Sequence, residues 1–141
     1  MSNRFFKYSL RVVPYLALTG AGIVLLFWVL YFTGAYVPGG SDNPIVDGFE
    51  SAFPAADAIL ALSLIGAAIG ILRKKSSGTF FLVAAGSMSV YLGILDISFY
   101  CQTPVYGESD LSSLFCIFIN VACIGGGIFA LVLSWQLWRI K

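Results

Sequence analysis

Residues 54–100 read PAADAILALSLIGAAIGILRKKSSGTFFLVAAGSMSVYLGILDISFY, two apolar runs joined by Arg73-Lys-Lys-Ser-Ser-Gly78. Each run is long enough to cross a bilayer, because roughly 20 apolar residues of helix cover about 30 Å of hydrocarbon. A connection this short forces two helices to lie side by side and antiparallel. Its three consecutive bases mark a cytoplasmic turn, since lysine and arginine concentrate on the inner side of membrane helices.

Working outward from this hairpin, the same polarity repeats. Arg4, Lys7 and Arg11 precede an apolar run over about 12–36, and Arg139 and Lys141 close a run over about 111–138. These positions and the turn account for all 8 bases of the chain. The 7 acids sit at the opposite ends: Asp42, Asp47, Glu50 and Asp57, then Asp96, Glu108 and Asp110. The expected fold class is therefore all-α, an integral membrane bundle of four antiparallel transmembrane helices with both termini cytoplasmic. It forms one domain over 1–141, with spans at about 12–36, 54–72, 79–100 and 111–138, and belongs in the cell (plasma) membrane. Loops over 37–53 and 101–110 face outward. The basic start followed by an apolar stretch is like a signal peptide. However, the stretch exceeds the usual signal core and lacks a small-residue cleavage site, so it reads as a retained first helix. Tyr8, Tyr15, Trp135 and Trp138 fall at the inner interface, and Tyr31, Tyr36, Tyr100 and Tyr106 at the outer one, as aromatic belts require.

Composition excludes several function classes. With 59% hydrophobic and 11% charged residues, nothing is left over for a soluble catalytic or nucleic-acid-binding domain. The chain has no histidine, which removes the commonest general base and the usual zinc and copper ligands. Three cysteines without a CxxC pair argue against a dithiol or metal–thiolate centre, and no cofactor is expected. An oxidising exterior permits a bridge between Cys101 and Cys116, although small packing residues are the plainer reading of Cys116 and Cys123. Gly125-Gly-Gly127 lies inside a span and is not a phosphate loop.

Small residues at helical spacing identify the packing faces. Gly66 and Gly70 form a GxxxG alongside Ala56, Ser63 and Ala67. Ala85, Ser89 and Gly93 recur every four residues, and Cys116, Asn120, Cys123, Gly127, Ala130 and Ser134 form the longest stripe. Packing is the commoner meaning of such stripes.

Two acids lie within the expected spans, Asp57 and Asp96. Counted from the shared turn, both reach roughly 24–26 Å at about 1.5 Å per residue. Asp57 follows Pro54 in a first turn, where the helix dipole favours a carboxylate and a solvated interfacial role is the bland alternative. Asp96 sits near a helix C-terminus, where the dipole opposes it, on the face of Gly93, Ser89 and Ala85. No lysine, arginine or histidine falls in the outer half of the expected bundle, and an intramembrane carboxyl without a counter-ion is a functional candidate. Asn120 adds an amide at depth, with Ser89 and Tyr91 as hydroxyls below Asp96. These residues outline an outward-opening polar pocket fringed by Asp42, Asp47, Glu50, Glu108 and Asp110, whose acidic mouth attracts cations.

The leading expectation is a binding or transport-related membrane protein that holds a proton, a cation or a small polar solute. Asp96 bears the charge, Asp57 is a second carboxylate, and Asn120 orients the ligand; any metal would fall to Asp57 and Asp96. The alternative is a non-catalytic structural or accessory subunit. It would use Gly66, Gly70, Gly93 and Gly127 to pack within the bilayer against itself or a larger membrane partner. A lipid-modifying enzyme ranks third, because neither a general base nor a second ligand set is evident.

Overall fold

The computed structural model describes the backbone of residues 3–36, 44–103 and 111–139, with side chains described from residue 11 and, in the last segment, from residue 113. The architecture is all-α: α1 Asn3–Phe32, α2 Pro44–Glu50, α3 Pro54–Leu72, α4 Ser76–Tyr100 and α5 Leu111–Arg139. Among the described residues, four helices are long and apolar enough to span a membrane. α1 packs on α3, α3 on α4, and α4 on α5. One end of the bundle carries the 73–75 turn and Arg139, here called the basic end. The other carries α2 and the acids of α3 and α4, here called the acidic end.

Local chemistry explains the boundaries, including those that differ from the sequence expectation. The first helix stops at Phe32 rather than near residue 36, because Gly34 adopts φ 70°. The Gly34 N–H then bonds the Tyr31 carbonyl at 3.0 Å and the Ala35 N–H bonds that of Leu30 at 3.0 Å, a Schellman closure. The same closure ends α3, where Lys74 takes φ 54° and the Lys75 N–H reaches the Gly70 carbonyl at 2.8 Å. α4 then begins at Ser76, three residues earlier than the apolar run suggested. Gly70 and Gly78 make so tight a hairpin feasible: a Cβ on Gly70 would lie 2.4 Å from the Gly78 Cα, leaving no room for any side chain.

The element not anticipated is α2, which falls in the stretch read as loop. Pro44 opens it with its missing N–H in the first turn, and Asp47 lies at its positive end. Val46, Phe49, Glu50 and Phe53 occupy i, i+3, i+4 and i+7, one face of a helix. Val46 is 1% exposed and packs with Tyr100 and Cys116, while Phe49 stacks on Phe99 with centroids 3.7 Å apart. α2 thus lies over the acidic end as a cap.

The small-residue stripes point inward. Ser63, Ala67, Ala85, Gly93, Asn120, Gly127 and Ser134 are buried, whereas Leu62, Phe80, Phe118 and Val121 are exposed, as lipid-facing residues should be. Trp135 and Trp138 are exposed at the basic end, where indoles suit an interface. Gly66 and Gly70 meet Phe81 and Gly78 of α4, and Gly86 meets the Gly127 carbonyl of α5. The GxxxG is therefore engaged inside the chain and not presented to a second copy.

Candidate functional site

The acidic end gathers three carboxyls from three elements. Asp57 lies in the first turn of α3, with its N–H bonded to the Phe53 carbonyl at 2.9 Å. Across the bundle, Trp28 of α1 donates its Nε1–H to Asp57 Oδ2 at 2.9 Å. Glu50 ends α2 and is 6% exposed, with the Tyr100 hydroxyl donating to its Oε1. Asp96 occupies the last turn but one of α4, on the face of Gly93, Ser89 and Ala85. Among the described residues, none donates a hydrogen bond to Asp96. Glu50, Asp57 and Asp96 line one cavity of about 470 Å³ and lie within electrostatic reach of one another. No lysine or arginine among the described residues lines it.

Asn120, 2% exposed, and Ser89 line the same cavity. Ser89 donates its hydroxyl to the Cys123 carbonyl at 3.0 Å and so ties α4 to α5 beside the acids. Tyr91 does not join them: it is 65% exposed on the outer surface of α4 and does not line the cavity. Asp47 is exposed on α2, outside the cavity, and Asp42, Tyr106, Glu108 and Asp110 lie outside the described residues. No disulfide joins Cys101 and Cys116, and the Cys116 thiol instead contacts the Tyr36 hydroxyl at 3.2 Å.

The cavity's form differs from an outward polar pocket. Most of its lining is apolar, and it extends from the carboxyls past Ala85 and Leu82 to Val13 and Leu133. α2 and Phe53 cover the acidic end, and Tyr36 closes the seam there by packing on Phe27 and Phe115 at 5.7 and 5.4 Å. At the basic end Val13 and Leu133 meet in one hydrophobic cluster. Between these closures α1 and α5 stand apart. Leu16 and Ile23 of α1 and Phe118 and Phe129 of α5 line the cavity yet remain exposed, which puts its mouth sideways, between two lipid-facing helices.

Trp28 and Tyr100 are candidate-site residues that the sequence did not single out, and Glu50, expected only on the pocket's acidic fringe, lies inside it. Trp28 gave no signal, because its partner lies 29 residues away on another helix. Tyr100 read as an interfacial aromatic and Glu50 as a loop acid. The Val46–Phe53 helical face was the clue available for Glu50. Among the described residues, no group of three or more histidine, cysteine or acidic side chains is placed to hold a metal ion. The donor set accordingly suits a proton or a molecular cation better than a metal, whose oxygen shell needs six or more ligands if it is calcium. No protein family, curated protein or solved structure matches the chain.

Proposed function

We propose that this four-span protein is a binding or transport-related membrane protein that holds a proton or a cationic solute at Glu50, Asp57 and Asp96. One observation carries the reading: three carboxyls from separate elements share a cavity that no lysine or arginine among the described residues lines. An apolar enclosure makes a lone carboxylate costly, so the arrangement is favoured when positive charge enters. Asp96 is the acceptor for that charge. Asp57, steadied by Trp28, and Glu50, steadied by Tyr100, add negative potential around it, and Asn120 orients the solute. The positive-inside rule directs the basic end to the cytoplasm and the acid cluster to the outer half of the bilayer.

An accessory subunit that assembles through its GxxxG has less support, because Gly66 and Gly70 already contact α4 of their own chain. The deciding measurement is thermal unfolding of the purified protein across pH and a panel of inorganic and organic cations, repeated on Asp96→Asn. A ligand at about 100 times its Kd adds about 2.7 kcal/mol of stability. At least one cation should raise the wild-type midpoint and leave Asp96→Asn unmoved. Equal responses in both proteins would count against the reading.

A further inference from the structure

A proton or small inorganic cation needs only the acidic end, yet the cavity continues far beyond it. From Asp96 down to Leu82, α4 alone runs roughly 21 Å at about 1.5 Å per residue, and both residues line the cavity. The volume of about 470 Å³ falls within the roughly 300–1,000 Å³ of small-molecule pockets. The mouth faces hydrocarbon rather than water, with small residues Thr19, Ala122 and Gly126 along its exposed rim. Resting on the function proposed above, we infer that the ligand is a single-tailed organic cation dissolved in the bilayer, an alkyl- or aryl-ammonium. It enters sideways between α1 and α5, lays its apolar body along the groove and sets its ammonium among the carboxyls.

Charge and shape select this occupant over the lipids around it. Phospholipids carry a phosphodiester, which three carboxyls repel, and two chains where the groove offers one channel. A neutral alcohol gains the apolar contact but nothing from the acids. An ammonium N–H donates directly to Asp96, the carboxyl that receives no donor from the described residues. Short cations satisfy the head alone and forgo burial worth about 0.8 kcal/mol per methylene. A bound tail in a bilayer replaces lipid contacts rather than water, so discrimination should be less than that figure summed over the chain. It should still exceed tenfold where the whole groove is filled.

The test uses the full chain in phosphatidylcholine nanodiscs, with Trp135→Phe and Trp138→Phe leaving Trp28 as the reporter beside Asp57. Dodecylammonium with a brominated tail should quench Trp28 and raise the thermal midpoint, with a Kd at least tenfold below that of ethylammonium. Gly126 has open space around its Cβ position, so Gly126→Leu fills the rim without a clash. It should weaken dodecylammonium binding at least tenfold and leave the ethylammonium response unchanged. Ala122→Leu, on the same rim, should do likewise and carries the test if the first variant folds poorly. Equal binding of both ammonium ions, insensitive to the rim variants, overturns the tail groove while leaving the carboxyl site standing. Dodecanol binding as tightly as dodecylammonium overturns the role of the head. Dodecylammonium binding that is the same in wild type and Asp96→Asn removes the function itself.

Discussion

The Trp28 indole and the Tyr100 hydroxyl do for the acids what lysine or arginine would do elsewhere, but without supplying charge. Each gives a carboxyl one donor and leaves its negative potential available to the cavity. Trp28→Phe preserves the aromatic packing on Phe27 and Tyr31 and deletes the N–H alone. It should cost about 1–2 kcal/mol, toward the lower end of hydrogen bonds to charged groups, because Asp57 is half-buried. Thermal or denaturant midpoints of the two proteins at neutral pH measure it. At this scale the sequence was legible wherever a polar residue shared a stripe with small ones. Seven residues from Asp96 to Ser89 rotate a helix roughly 700°, nearly two full turns, so Ser89 keeps the face. Tyr91 lies five residues from Asp96, roughly 500°, which turns it about 140° away toward lipid. The expectation for Tyr91 weighed depth and neglected angle. Cross-helix donors such as Trp28 were illegible because they depend on how α1 is rotated against α3.

Two elements repay mutation. The α3–α4 hairpin depends on contact between glycine backbones, so Gly70→Ala and Gly78→Ala should each cost at least the 1–3 kcal/mol typical of overpacking. Lys74 is a lysine in the left-handed conformation, which costs roughly 1–2 kcal/mol relative to glycine's freedom there. Lys74→Gly gives part of that back to the unfolded chain as entropy, so a net gain of about 0.5–1 kcal/mol is expected. Comparing thermal midpoints of the three variants checks the hairpin directly. The cap α2 is held chiefly by Val46, and Val46→Ala removes two buried methyl groups at about 0.8 kcal/mol each. Faster proteolysis or hydrogen exchange confined to 44–53 would show the cap loosening while the long helices stay protected. The four spans were legible because each is long and continuous in character. α2 was not, because seven residues make fewer than two turns, and its flanking turn formers dominate the local pattern.

On the scale of the whole molecule, the separation of charge makes the proposed orientation testable. Cys101 is exposed at the acidic end, whereas Cys116 is buried and Cys123 half-buried among helices. A membrane-impermeant maleimide applied to intact cells should therefore label the protein at Cys101, and Cys101→Ser should abolish that labelling. Labelling that appears only after permeabilisation would reverse the orientation and place the acids inward.

The packing order also bears on how the chain is made. Each long helix rests on the neighbour that precedes it in synthesis: α3 on α1, α4 on α3, and α5 on α4. Helices leaving the ribosome in that order find their docking surface already inserted, with little search among distant segments. The second wall of the groove arrives with α5, which is translated after the other three long helices. A nascent chain halted before α5 would hold its carboxyls on an uncovered lipid-facing flank, and the insertion of α5 is the event that turns that flank into a receptacle.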